Sequence, residues 1–115
     1  MAQKYLLIES RDPFDSADVP YFFKTARDLA ESGNDVILYL VQNGVLCLRR
    51  GARPSALFDW LGGEGSKSKV RVLADDFSLR ERGIRQGELI SGAKISGVDA
   101  LVDFLVEEKR KALWH

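Results

Sequence analysis

Short, nearly uniform apolar runs, each closed by polar or turn-forming residues, constrain the fold of this chain most strongly. Three of them are Tyr5–Ile8, Asp35–Val41 and Val70–Ala74. The second run is apolar after its first residue, Asp35. Each run is too short for a typical helix and does not show the regular polar alternation of a strand with one wet face. Runs of this kind are typical of strands buried on both faces, so we predict a mainly parallel sheet covered by helices on both sides.

The segment between the first two runs carries the signals of a helix. Asp18 precedes Val19 and Pro20, a pattern typical of an N-cap with proline in the first turn. Apolar residues then recur at helical spacing as far as Leu29, and Gly33 supplies a stop. Strand, helix and strand together predict a right-handed crossover unit.

The rest of the chain supplies further elements. Between the second and third runs, residues 56–61 are predicted to be helical and the glycine-rich residues 62–68 to form a loop. Residues 88–95 offer a fourth strand, interrupted at Gly92. An amphipathic helix follows, ended by the basic run 109–111, and residues 112–115 form either a last helical turn or a terminal strand. The apolar face predicted for that helix consists of Val98, Leu101, Val102, Leu105 and Val106.

Composition limits the class of protein. A chain of 115 residues, 45% hydrophobic and 30% charged, is long enough for one domain with a core, which we assign to residues 1–115. Seventeen basic and seventeen acidic residues cancel, so direct nucleic-acid binding is not expected. Cys47 is the single cysteine, which indicates a reducing compartment. Neither a signal-peptide core nor a membrane span is recognisable, and we predict a cytoplasmic protein without a membrane partner.

The corner at Val70–Ile84 is the strongest candidate for a functional site. Its strand runs into Asp75 and Asp76, and Ser78 is placed to cap a helical turn over residues 79–82. The carboxyl end of a parallel strand commonly opens into a ligand-binding crevice. Helix capping alone would explain the two aspartates and the serine. The functional alternative is an anion pocket formed by free backbone amides together with Arg80 and Arg82.

Two further side chains could carry chemistry. Cys47 lies among apolar residues, where a thiol is commonly inert, yet it also lies near the start of a predicted short helix, which can lower a thiol pKa. His115 is the only histidine and the last residue, so we expect it to fray. Without a second histidine, neither a zinc site nor a catalytic triad is predicted, and we expect no metal and no cofactor.

Two stretches resemble a known family. The corner Gln42-Asn43-Gly44-Val45 after the second strand and the block Val70–Ile84 after the third are similar to the DsrE/DsrF-like family of small sulfur-relay proteins. The resemblance covers nearly the whole chain. It implies a three-layer α/β/α fold with a mainly parallel sheet of four to five strands, commonly ending in a short strand, which favours a strand at residues 112–115. It also implies homo-oligomers, or hetero-oligomers with DsrE-like paralogues, and sulfur-relay proteins as partners.

The chain departs from this family at one informative position. In sulfur-carrying members a cysteine three residues before the serine takes up sulfur as a persulfide, and here that position is Asp75. An aspartate cannot hold a sulfane sulfur. The resemblance therefore favours a non-catalytic or regulatory subunit.

Two alternatives remain open. One is an active sulfurtransferase or sulfur carrier that uses Cys47. The other is a domain that binds a small anion or another ligand at the two corners, where the candidate residues are Asn43, Gly44, Asp75, Asp76, Ser78 and Arg82.

Overall fold

The structure is a computed structural model that describes residues 2–51 and 70–115. Its strands are β1 Lys4–Glu9, β2 Asp35–Leu40, β3 Val70–Asp75, β4 Ala93–Ser96 and β5 Arg110–Trp114. Its α-helices are α1 Val19–Glu31, α2 Asp76–Glu81 and α3 Val98–Val106. Two 3₁₀ helices occupy Gln42–Leu48 and Gln86–Glu88. Residues 56–61 and 62–68, predicted as a helix and a loop, lie outside the described residues.

The five strands form one sheet in the order β4-β3-β2-β1-β5, and every neighbouring pair is parallel. This confirms the predicted mainly parallel sheet and the terminal strand. The helix predicted between the first two strands is confirmed as α1, and Gly33 ends it with a φ of +92°. Asp18 occupies the N-cap position of α1, although its side chain makes no capping hydrogen bond.

The direction in which the connections cross the sheet explains why helices cover both of its faces. The connections from β1 to β2 and from β3 to β4 step toward the β4 edge, whereas the connection from β4 to β5 returns across the whole sheet. Because parallel crossovers are right-handed, the returning helix α3 lies on the face opposite α1. Phe23 of α1 and Leu79 of α2 belong to one core cluster, and Leu101 and Phe104 of α3 pack on the other. The three-layer α/β/α prediction is therefore confirmed.

The helix after β3 begins about one turn earlier than predicted, whereas β3 itself extends only one residue beyond the predicted strand. Asp75, rather than Ser78, caps the following helix, because the Asp75 carboxylate accepts a hydrogen bond from the Ser78 backbone N–H. Helix α2 consequently begins at Asp76 instead of Leu79. Asp75 can serve both elements because its backbone still pairs with Ser96 of β4.

The fourth strand is also shorter than predicted. Of residues 88–95, only Ala93–Ile95 belong to β4. Leu89 and Ile90 are buried in the core below a 3₁₀ turn, and Leu89 makes an isolated antiparallel bridge to Arg49. An apolar pair buried by a turn produces the same local signal as a buried strand.

The end of α3 was predicted too late. The helix ends at Val106, and the basic run 109–111 leads into β5. The side chain of Arg110 explains this, because its guanidinium donates to the Tyr5 carbonyl oxygen and to Asp35 and also bonds Glu107. Arg110 thus anchors β5 against β1 and β2.

The apolar face predicted for α3 is largely exposed. None of the nine residues of α3, all within the described part of the chain, is buried. Leu101 and Phe104 contact the sheet, whereas Val98, Val102, Leu105 and Val106 face outward; we call these four residues the α3 outer stripe. The five predicted residues span too wide an arc of the helix for all of them to reach the sheet.

No helix in residues 2–51 and 70–115 is long and apolar enough to cross a membrane.

Candidate functional site

The candidate site lies where β2 and β3, neighbours in the sheet, end at the same edge. β2 leads into the 3₁₀ helix Gln42–Leu48, and β3 leads into α2. The two corners predicted from the sequence therefore stand side by side.

A chain of hydrogen bonds joins the two corners through Ser78. The Gln42 backbone N–H donates to Ser78 Oγ over 2.8 Å, and Ser78 Oγ donates to Asp75 Oδ2 over 2.6 Å. The same carboxylate oxygen accepts the Ser78 backbone N–H at 3.0 Å. Both Asp75 and Ser78 are buried, so these bonds satisfy groups that water does not reach easily. Gln42 has a φ of +51°, which lets the chain turn sharply enough to present its N–H to Ser78.

Arg82 holds the outer side of the same corner. Its Nε and Nη2 donate to Asn43 Oδ1 at 3.1 and 3.0 Å, and its Nη1 donates to the Ser78 carbonyl oxygen at 3.1 Å. Asn43 in turn donates to Asp15. The structure therefore brings the predicted residues Asn43, Ser78 and Arg82 together, but the Arg82 guanidinium is engaged by protein oxygens. An anion arriving here would have to compete with these contacts.

Gly44 is held against β1 by a very close backbone approach. A Cβ built on Gly44 would lie 2.2 Å from the Glu9 carbonyl oxygen. The Glu9 carbonyl also accepts the Val41 N–H at 3.0 Å, so it is fixed in place. Only glycine fits this contact. Gly44 therefore allows the corner to pack against β1. The space beside its Cα is filled by backbone atoms of Glu9.

Cys47 is buried on the inner side of the 3₁₀ helix that follows β2. Its exposed fraction is 6%. Burial, followed by the charges of Asp12 and Glu9, raises the pKa of the Cys47 thiol to about 12. The short helix near Cys47 therefore does not lower the pKa of the thiol.

The buried Glu9 pairs with the partly buried His115, a contact that the sequence did not reveal. His115 Nδ1 lies 2.9 and 2.8 Å from the two carboxylate oxygens of Glu9, which is fully buried. The His115 ring stacks on Phe22 at a centroid distance of 5.3 Å, and its backbone bonds Ile8 and Ser10. The expectation that His115 frays was therefore wrong. A carboxylate that ends an otherwise apolar strand, as Glu9 does, was the one local signal of such a pair.

Burial dominates the electrostatics of Glu9. It raises the pKa of the carboxyl group, and hydrogen bonds from His115 and from the Arg11 N–H partly oppose that rise. Tyr39 behaves similarly at the other end of the site: burial is the main cause of its raised pKa, and the charges of Asp75 and Asp76 add to it. The Tyr39 hydroxyl donates to the Gly97 carbonyl oxygen at 2.9 Å, tying β2 to the start of α3.

A cavity of about 700 Å³ opens beside the Asp75 corner. Asp75, Asp76 and Ser78 contribute polar groups to its lining, and Phe77, Val98 and Trp114 contribute apolar ones. The cavity lining does not include Cys47, Asn43, Gly44 or Arg82. The predicted ligand residues are thus divided between this cavity and the outer Asn43–Arg82 contact. Phe77, Val98 and Trp114 escaped prediction because they come from three elements whose meeting no local pattern records.

Residues 2–51 and 70–115 contain no group of three or more His, Cys, Asp or Glu side chains that could hold a metal ion.

Comparisons with known proteins give a consistent result. The sequence model of the DsrE/DsrF-like family matches residues 3–111. Among solved structures, the ychN protein from E. coli is similar with a TM-score of 0.80 and 24% identity, covering 98% of this chain and 99% of that one. A protein of unknown function from Methanobacterium thermoautotrophicum, MTH1491, has a TM-score of 0.74 and 20% identity, with both chains fully covered. At these identities the structural neighbours establish the fold. No curated protein gives a significant match.

Proposed function

Because the chain belongs to the DsrE/DsrF-like family, we propose that it is a non-catalytic or regulatory subunit of an intracellular sulfur-transfer assembly. In this proposal the subunit keeps the backbone structure of a sulfur-carrying corner but lacks the cysteine thiol that would take up sulfur there. It places the protein in the cytoplasm, with DsrE-like chains and sulfur-relay proteins as partners and with no direct role for nucleic acid or membrane.

The observation that carries the proposal is that Asp75 stands at the carrier position and that Ser78 already hydrogen-bonds its carboxylate. Sulfur-carrying relatives have a cysteine three residues before the serine, and sulfur uptake there requires a thiolate that attacks a sulfane sulfur. Asp75 offers a carboxylate in its place, and that carboxylate is already engaged by the Ser78 N–H and hydroxyl. The corner is therefore built and closed by internal hydrogen bonds, with no nucleophilic sulfur in it.

The burial of Cys47 supports the same reading. A thiol with a pKa of about 12 carries almost no thiolate near neutral pH, and the thiolate is the form that takes up sulfur. Cys47 is also absent from the lining of the cavity beside Asp75. An active carrier based on Cys47 would need the Gln42–Leu48 segment to open.

The exposed apolar surface supports a role within an assembly. Large hydrophobic side chains on α3, β5 and α2 are exposed, among them Val106, Trp114 and Phe77. Contiguous apolar surface on a small domain commonly marks a site of protein association. The homo- or hetero-oligomer implied by the family accounts for such a surface.

Ligand binding is a second candidate function, and the cavity is the observation that favours it. Its volume falls within the range of small-molecule sites, and it combines apolar walls with polar groups from Asp75, Asp76 and Ser78. A small ligand bound here could regulate a non-catalytic subunit. Ligand binding in this cavity is therefore compatible with the role of a non-catalytic or regulatory subunit.

Sulfur loading tests the main proposal. The protein is incubated with inorganic polysulfide, or with a cysteine desulfurase and cysteine, and its intact mass is measured. We expect the unmodified mass. A stable added sulfur that disappears in Cys47→Ala would overturn the non-catalytic assignment.

A further inference from the structure

The cavity beside Asp75 has two exposed aromatic rings in its lining. Phe77 is 58% exposed and Trp114 is 65% exposed. The other large apolar lining residues are Val41, Val98 and Leu101. A volume of about 700 Å³ is enough for a small organic molecule. The apolar body of such a molecule would cover rings that are otherwise in water.

Carboxylates outnumber basic groups around this cavity. The acidic lining residues are Asp75, Asp76, Glu81 and Asp99. Arg80 is the one basic residue among the described residues of the lining. Arg82, outside the lining, lies 3.8 Å from Glu81 and offsets that carboxylate. With both arginines counted, the cavity keeps an excess of negative charge, which favours a cationic ligand over an anionic one.

The two helices that begin at the cavity do not reverse this preference. Asp75 caps α2 and Asp76 lies in its first turn, and Asp99 lies in the first turn of α3. The chain's own carboxylates thus occupy the positions where a helix macrodipole would attract an anionic ligand. An anion in the cavity would meet like charges at both helix starts.

One oxygen of the Asp75 carboxylate is left for a ligand. Both hydrogen bonds from Ser78 end on Oδ2, and Oδ1 accepts none from residues 2–51 or 70–115. Asp75 is only 9% exposed. Among the described residues, no side-chain nitrogen or oxygen is fully buried without a hydrogen-bond partner. Oδ1 is therefore accessible, and it is reached from the cavity that Asp75 lines.

Asp76 provides a second acceptor at the same cavity. Within the described part of the chain its carboxylate forms no ion pair. Asp76 Oδ2 faces the start of α3, where a Cβ built on Gly97 would lie 3.9 Å from it. An ammonium group has three N–H donors, so one ligand nitrogen can serve more than one carboxylate oxygen. The faces of Phe77 and Trp114 also attract a cation.

We propose that the cavity beside Asp75 binds a small primary amine in its ammonium form. The ammonium donates to Asp75 Oδ1 and to Asp76, and the apolar body of the ligand packs against Phe77 and Trp114. This inference rests on the second candidate function, ligand binding in this cavity, and names the chemical class of the ligand. The aspartate that stands in place of a sulfur nucleophile thereby supplies the oxygen that recognises the cation.

Three probes that share a phenyl ring and differ in charge test the proposal on the wild type. The ¹⁵N-labelled protein is titrated at neutral pH and low salt with 2-phenylethylamine, with 2-phenylethanol and with 3-phenylpropionate. We expect the amine to shift the amides of residues 75–78 and the Trp114 indole N–H in a saturable way. Its affinity should exceed that of the alcohol at least about tenfold, and the carboxylate should bind most weakly.

Charge-removing variants locate the ammonium. Asp75→Asn retains an oxygen that can accept from Ser78, and we expect it to weaken amine binding at least about tenfold. Asp76→Asn should weaken it in the same direction. Glu31→Gln is the matched control, since it removes an exposed carboxylate at the end of α1 that is absent from the cavity lining, and it should leave the affinity unchanged. Circular dichroism verifies folding; if Asp75→Asn fails to fold, Asp76→Asn and the three probes decide.

Four outcomes would overturn the inference. They are the absence of a saturable shift with the amine, equal affinity for the alcohol, tighter binding of the carboxylate, and folded Asp75 and Asp76 variants that bind the amine as Glu31→Gln does. None of them changes the sulfur-loading result. Sulfur uptake on the wild type would overturn the non-catalytic assignment while leaving the amine titration intact.

Discussion

Asp75 Oδ2 accepts two hydrogen bonds from Ser78, one from its backbone N–H at 3.0 Å and one from its hydroxyl at 2.6 Å. This contact closes the turn between β3 and α2. Because the Ser78 hydroxyl also accepts the Gln42 N–H, the pair connects the ends of two neighbouring strands. These hydrogen bonds connect the ends of β2 and β3 at this corner.

We expect Ser78→Ala to destabilise the protein by about 1 to 3 kcal/mol. The substitution removes a hydroxyl that serves both Asp75 and Gln42 and leaves two buried polar groups without that partner. Urea unfolding measures the change. Arg80→Ala, at an exposed position on the same helix, should change stability by less than about 0.5 kcal/mol. Equal effects of the two variants would contradict the role given to Ser78.

Gly44→Ala should cost about 1 to 3 kcal/mol. The new Cβ would lie 2.2 Å from the Glu9 carbonyl oxygen, a backbone atom held by its own hydrogen bond from Val41. Gly87→Ala is the matched control, since its Cβ would meet nothing within 4 Å. Thermal or urea unfolding of both variants checks the contact, and a neutral Gly44→Ala would show that the corner can move away from β1.

The stability contributed by Glu9 should depend on pH. Burial raises the pKa of Glu9 above its ordinary 4.5. A group whose folded pKa is raised contributes stability that is complete below the unfolded pKa and is lost as pH rises through the folded pKa. Glu9→Gln lacks this titration, so its stability relative to the wild type should increase with pH across that window.

Urea unfolding at a series of pH values from below 4.5 upward measures this difference for Glu9→Gln. Glu31→Gln, an exposed change on α1, serves as the control and should follow the wild-type pH dependence. Parallel stability curves for Glu9→Gln and the wild type would contradict the raised pKa.

Cys47 should react slowly in the folded protein. With a pKa of about 12, roughly one thiol in ten thousand is ionised at pH 8, and the side chain is also shielded. We expect alkylation by iodoacetamide to proceed at least about a hundredfold more slowly in buffer than in urea, where the thiol regains an ordinary pKa near 8.5. Mass spectrometry over time gives both rates. Comparable rates would restore Cys47 as a candidate carrier.

Local signals predicted the framework well. The apolar runs, Pro20 and Gly33 placed β1, α1, β2 and the start of β3, because strand burial and helix ends depend on neighbouring residues. The corner at Asp75 was located for the same reason. The assignment of the cap to Ser78 failed because either oxygen-bearing side chain can accept a helix N–H, and only geometry decides between them.

Contacts between distant residues could not be predicted. His115 meets Glu9 across 106 positions, and that pairing exists only because β5 inserts beside β1. The direction of the α3 outer stripe was equally hidden, since helical periodicity shows which residues share a side but not how wide a strip the sheet can cover. Phe104 was not part of the predicted apolar face, yet it packs against the sheet beside Leu101.

The claim that Asp75 replaces the sulfur-carrying group is tested most directly by sulfur uptake in Asp75→Cys. The introduced thiolate would attack a terminal sulfur of polysulfide, forming a persulfide and releasing a polysulfide shortened by one sulfur. Asp75→Cys is made in a Cys47→Ala background, and Asp76→Cys in that background controls for any accessible thiol. We predict that Asp75→Cys gains one sulfur by intact mass and transfers it to cyanide faster than Asp76→Cys, while the wild type gains none. Sulfur uptake by the wild type equal to that of Asp75→Cys, or a folded Asp75→Cys that takes up none, would contradict the account.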